Sequence, residues 1–281
     1  MDLVYSIIGT ILPFEWTQHN FMKNALLAIL LVMPLFGLLG TMVVNNRLAF
    51  FSDSLGHGAF TGVALGSLLG IVEPLTAVLV FSLFFAGMIT WIKHSSNAST
   101  DTIIGVFSSL AIAIGLIILS YSGNVSKYSA YLIGDLLSIN RQDLSLLVVV
   151  FILTLLLWSI IFNNLLVISV NPSLAASRGI SPLVSEMMFA ASLAAVVAIS
   201  IQWVGLLVIN SMLVLPAAAA RNISSNMRAY HLWAVLIALF AGLSGLIISY
   251  YGNVVTGATI ALISSMIFFV TFILRRYIIK A

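Results

Sequence analysis

The stretch FSDSLGHGAFTG (Phe51–Gly62) decides how this chain is read. It puts an aspartate and a histidine four residues apart inside a run long enough to cross a bilayer. Asp53 and His57 stand at i and i+4, hence on one face of a helix and about 6 Å apart; Thr61 continues that face. Counting from Arg47 at 1.5 Å per residue, His57 lies about 15 Å in, close to the midplane of a hydrocarbon core about 30 Å thick. An ionisable group at such depth costs about 2.5–3.5 kcal/mol on insertion scales, so its presence points to function. The next ridge reads Ser54, Gly58, Gly62, Gly66, Gly70, and glycine at every fourth position lets another helix approach closely. The expectation is a helix packed in a bundle, with its polar ridge turned toward a cavity.

The rest of the chain supports a membrane reading. Of 281 residues only 7% are charged, against about 25% in a soluble domain, so a water-facing surface could not be covered. Nine hydrophobic segments are expected at about 22–44, 48–72, 75–93, 102–122, 144–166, 183–201, 203–220, 231–251 and 255–274, with the sixth and seventh nearly continuous and their break near Gln202. The segment NVSKYSAYLIGDLLSINRQD (Asn124–Asp143) is amphipathic enough for a short interfacial helix, and Glu73-Pro74 punctuates the second and third segments. No cleaved signal peptide is expected, because the N-terminus lacks a basic n-region and a small-residue cleavage site. The fold class is therefore all-α: a polytopic membrane bundle of eight or nine spans, read as a single transmembrane domain over 1–281.

Charge sets the orientation. Arg47, Lys93, Arg178, Arg221, Arg228, Arg275, Arg276 and Lys280 fall on one side, and Lys23, Lys127 and Arg141 on the other. The basic side is cytoplasmic, so the N-terminus is outside and the C-terminus inside. This bias accounts for the net charge of +3 without nucleic acid as a partner. With no cysteine there are no disulfides and no thiolate ligands, and any metal must be held by nitrogen and oxygen. A carboxylate and an imidazole suit zinc, with manganese and iron less favoured by nitrogen. The spacing of Asp53 and His57 equally admits a structural ion pair or a proton relay, the latter implying a self-sufficient proton-coupled carrier.

The remaining polar residues have quieter readings. Glu186 sits in the first turns of a helix capped by Ser181 with Pro182 at its first position, where a carboxylate is mildly stabilising. His94 and His231 fall at cytoplasmic helix ends. Asp135 and Lys127 belong to an outer loop, and His19, with Glu15 nearby, to a solvated segment before the first helix. In NPSLAASRGI (Asn171–Ile180), Asn171 can cap, Pro172 sits at the first helical position, and Gly179 can close the helix in the left-handed conformation. A helix of about two turns is stable only when docked on something, which makes it a lever for a cytoplasmic partner. No G-x-x-x-x-G-K-[ST] motif exists, so any ATP-driven motor is another chain.

Four stretches together resemble the membrane permease subunit of the bacterial zinc/manganese ABC uptake transporters: NNRLAFFSDSLGHGAFTGVALG, DTIIGVFSS with AYLIGDLLSI, NPSLAASRGI, and WVGLLVINSMLVLPAAAAR. The resemblance runs from residue 20 to the end. It implies a type II importer-like fold in the bacterial cytoplasmic (inner) membrane, in which a second copy of the permease completes the pathway. Two cytoplasmic ABC ATPase subunits would carry ATP, and an extracytoplasmic metal-binding protein would deliver the ion. The chain would not itself be an enzyme and would hold no permanent cofactor, Zn²⁺ or Mn²⁺ being the transported substrate. The family's D-x-x-x-H motif maps onto Asp53 and His57 as metal ligands. The coupling helix maps onto Asn171, Pro172, Ser173, Leu174, Ala175, Arg178 and Gly179, in a cytoplasmic loop of about 167–182. FSDSLGHGAFTG and YLIGDLLSI look more like the zinc branch. Glycine on both sides of His57, where alanine-like residues are frequent, implies looser local packing.

Overall fold

The structure, a computed structural model, describes residues 5–6, 9–10, 14–70, 74–122 and 130–278. Glu73, Lys127 and Lys280 lie outside the described residues, as do the first six residues, 124–129, of the expected interfacial segment. Ten helices are numbered here: α1 Asn20–Asn45, α2 Ala49–Leu68, α3 Pro74–Ser95, α4 Thr100–Ser122, α5 Arg141–Val170, α6 Pro172–Ser177, α7 Pro182–Val204, α8 Leu206–Ile223, α9 Met227–Gly252 and α10 Thr256–Ile278. No strand occurs among the described residues.

The nine expected segments coincide with α1–α5 and α7–α10. Among the described residues seven of these helices are long and apolar enough to cross a membrane, and α2 is not among them. In α2 the cause is composition, since Ser52, Asp53, Ser54, His57 and four glycines dilute an otherwise apolar run. The break expected near Gln202 lies instead at Gly205, whose φ of 85° and ψ of 145° form a backbone state that L side chains rarely adopt. Gly134, with φ 75°, packs its backbone directly on Gly205. The same glycine breaks the expected interfacial helix into a single turn, Ala130–Ile133, and a 3₁₀ turn, Leu136–Ser138, which Asp135 caps through Leu137 N–H at 3.0 Å.

The chain divides into two compact units. The first comprises residues 1–41, 133–151 and 203–281, where α8, α9 and α10 pack on one another. α1 joins them through small residues: an added Cβ at Gly37 would meet the Ala234 backbone at 2.8 Å, and Gly40 faces the Leu213 carbonyl. His231, expected at an interface, is tied into this unit by the Thr41 hydroxyl at 3.1 Å and the Met227 carbonyl at 2.6 Å. The second unit comprises 42–132 and 152–202, with α2 packed against α3 and α4. α5 and α10 leave rows of large apolar side chains exposed, among them Ile152, Leu156, Ile160, Phe269 and Ile273. Such a face is stable against acyl chains and would not be in water.

Candidate functional site

α2 is held from two sides, and this fixes where its polar pair points. Toward α3, a Cβ on Gly58 would lie 2.7 Å from the Phe85 ring, on Gly62 2.9 Å from the Val78 Cα, and on Gly66 2.8 Å from the Ala77 Cβ. The glycine stripe therefore brings the helices together as its spacing predicts. Gly70 does not extend it: with φ 65° and open space around it, it lies just beyond the C-terminus of α2. The packing beside His57 is also tight rather than loose, because Phe85 occupies the space that alanine at 58 would need.

Toward α4, the Thr61 hydroxyl lies 2.5 Å from the Ala111 carbonyl oxygen and 3.0 Å from that of His57, and its residue is wholly buried. Thr61 thus bonds α2 to α4 and does not continue an open ridge. Ser54 is equally buried, and its hydroxyl finds no hydrogen-bond partner. Asp53 and His57 remain open, their side chains 41% and 20% exposed. At 100° per residue they sit about 200° and 240° around the helix from Phe51, on the side away from the glycine stripe.

The Asp53 Oδ2 lies 3.5 Å from the His57 Nε2. That is longer than a good charge-assisted hydrogen bond of about 2.7–2.9 Å. Two ligand atoms of a tetrahedral zinc ion at about 2.05 Å are about 3.3–3.4 Å apart. Among the described residues no group of three or more His, Cys, Asp or Glu could hold a metal ion. Two such groups would supply half of a tetrahedral shell.

The Asn171–Ile180 segment folds as its capping residues dictate. The Asn171 side chain accepts from Ser173 N–H at 2.9 Å and Leu174 N–H at 3.2 Å, and Pro172 opens α6. At the other end Gly179 has φ 70°, and the N–H groups of Gly179 and Ile180 bond to the carbonyls of Ala176 and Ala175. Ala175 is fully buried, while Leu174 is 41% exposed, and Ser173 and Arg178 are exposed too. The helix shows a buried side and an outer side with one apolar and one cationic group, a form suited to docking.

One cluster escaped the reading of the sequence. Lys93 Nζ lies 2.6 Å from Glu186 Oε2, and His94 Nε2 lies 3.2 Å from the same oxygen. The end of α3 is thereby tied to the first turns of α7, beside a cavity lined by Leu48, Phe51, Thr90, Thr100 and Phe189. The available signal was that Lys93, His94 and Glu186 all fall at helix ends assigned to the same membrane side. In the first unit, the His19 ring stacks on Phe21 at 5.3 Å and tilts against Tyr250 at 6.3 Å, while Glu15 lines a separate cavity with Phe21 and Tyr250.

Comparison with known proteins places these features in context. Residues 18–275 match the ABC 3 transport family. The chain is 32% identical over 241 residues to the high-affinity zinc uptake system membrane protein ZnuB of Haemophilus influenzae, covering 85% of this chain and 91% of that one. It is 31% identical over 264 residues to the manganese import system permease protein ScaB of Streptococcus gordonii, covering 93% and 95%. Among solved structures, PsaBC from Streptococcus pneumoniae in complex with Fab superposes with a TM-score of 0.80 at 27% identity, covering 97% of this chain and 95% of that one.

Proposed function

Because this chain belongs to the ABC 3 transport family, we propose that it is the membrane permease subunit of an ATP-driven importer of divalent transition metal, with Zn²⁺ the preferred cargo and Mn²⁺ second. The observation that carries this reading is the Asp53–His57 pair, open on one face of a helix locked to α3 and α4 on its others. A carboxylate and an imidazole together suit zinc better than manganese. Relatives named for zinc and for manganese match about equally well, so the preference for Zn²⁺ rests on donor chemistry. Family membership also displaces the proton-coupled carrier, which would have needed no ATPase.

In this reading the permease works as a pair of copies in the bacterial cytoplasmic membrane, N-terminus outside and C-terminus inside. Two ABC ATPases dock on Asn171–Gly179, and an extracytoplasmic metal-binding protein loads the pathway. Two ligands from one chain bind too weakly to trap an ion, which suits a conduit that must release what it takes up. The test is Zn²⁺ uptake by vesicles holding permease and ATPase, supplied with the binding protein. His57→Gln and Asp53→Asn should each lower uptake at least tenfold while permease and ATPase still copurify. Uptake at the wild-type rate in both variants would reduce the pair to a helix-packing contact.

A further inference from the structure

We propose that the Lys93–Glu186–His94 cluster is the strut that passes motion from the docking helix to the helix carrying Asp53 and His57. Three observations in the second unit support it. α6 is joined to α7 by only four residues, Arg178 to Ser181, and Gly179 and Ile180 are bonded back onto α6. Displacement of α6 is therefore delivered to the first turns of α7, where Glu186 stands. Glu186 is 17% exposed and is held by Lys93 at 2.6 Å and His94 at 3.2 Å, both at the end of α3. α3 in turn meets α2 through Gly58, Gly62 and Gly66 with no side chain between the backbones at Gly62 and Val78. A shift of α3 must move α2 or open a void beside it, because close-packed interfaces do not deform continuously.

The cluster is not a second stopping place for the ion. Phe51, which lines the cavity next to Lys93 and Glu186, is on the side of α2 turned away from Asp53. An ammonium 2.6 Å from the carboxylate also opposes a divalent cation there. Its chemistry is that of a partly buried ion pair, in which removing one partner leaves the other charge uncompensated. Lys93 and Glu186 are thus positioning residues, acting on transport through α3.

This inference rests on the proposed transport function, and the experiment separates the two. Zn²⁺ transported and ATP hydrolysed are measured together in vesicles holding permease, ATPase and binding protein. If the unaltered protein moves no Zn²⁺ or Mn²⁺ with ATP, the function itself is refuted. If it does, Glu186→Gln should keep ATPase association and ATP hydrolysis while Zn²⁺ moved per ATP falls at least fivefold. The charge-exchanged pair Lys93→Glu with Glu186→Lys should recover at least half of the original ratio. Because the chain contains no cysteine, Lys93→Cys with Glu186→Cys gives a second readout in one preparation. It should be uncoupled as prepared and recoupled after a short bifunctional thiol reagent links the two positions. An unchanged ratio in Glu186→Gln would overturn the strut, as would a lowered ratio that neither charge exchange nor cross-linking restores.

Discussion

Exchanging Gly62 for alanine should weaken the protein, whereas the same exchange at Gly105 should strengthen it. Both glycines lie inside helices, where alanine is favoured by about 0.5–1 kcal/mol on backbone grounds. Gly105 is exposed, with open space where a Cβ would go. At Gly62 that carbon would lie 2.9 Å from the Val78 Cα, 3.2 Å from the Phe81 Cβ and 3.3 Å from the Ala77 carbonyl oxygen. The first of these is about half an ångström short of ordinary contact, which begins at 3.4 Å. Two of the opposing atoms belong to backbone, so no rotamer change relieves the crowding and the helices must separate. Overpacking of this kind costs about 1–3 kcal/mol. The backbone term is common to both variants and cancels in their comparison, so Gly62→Ala should be less stable than Gly105→Ala by about 1–3 kcal/mol. Unfolding in detergent, followed by tryptophan fluorescence and circular dichroism, measures the difference directly. A midpoint for Gly62→Ala at or above that of Gly105→Ala would refute the close α2–α3 contact and remove the last link of the strut.

Three further outcomes follow from the same geometry. Gly205→Ala and Gly134→Ala each force a side chain into a positive-φ position facing backbone; strain of about 1–3 kcal/mol plus the clash should collapse the yield of monodisperse protein in size-exclusion chromatography, and normal yield would show that the two backbones do not meet. Leu174→Asp and Arg178→Glu alter only the outer side of α6 and should abolish copurification of the ATPase while the permease elutes unchanged; full recruitment in both variants would leave α6 a plain connector. Ser54→Ala removes a buried hydroxyl with no partner and should raise stability by about 1 kcal/mol or more; a lowered unfolding midpoint would mean that the hydroxyl is bonded after all.

The positions of the helices were legible because hydrophobic runs and capping residues are local properties. Asn171, Pro172 and Gly179 define α6 through their own backbone preferences, and the structure reproduces each of those roles. What depends on a neighbour was not legible. Thr61 looks like a third member of the Asp53–His57 ridge by spacing, yet α4 claims its hydroxyl through Ala111. Gly70 continues the four-residue repeat, but α2 ends before it. The α7–α8 break falls at Gly205 rather than Gln202 because Gly134, some seventy positions earlier, lies against it. Glu186 reads as a helix-end carboxylate until α3 brings Lys93 and His94 to its oxygen.

The two-sided packing of α2 also bears on how an ion could be both held and released. Asp53 and His57 are one helical turn apart on a backbone held by α3 and α4, so both move with α2 as one unit. If the pair holds the ion as proposed, the remaining positions of its shell would fall to water or to the pair on a second copy. A shell shared between copies would be complete only while their α2 helices face each other at one distance. A movement delivered through α7 and α3 to α2 would then break the shell without changing either ligand. In this reading the motor need only move a helix, and release follows from losing half of the coordination sphere.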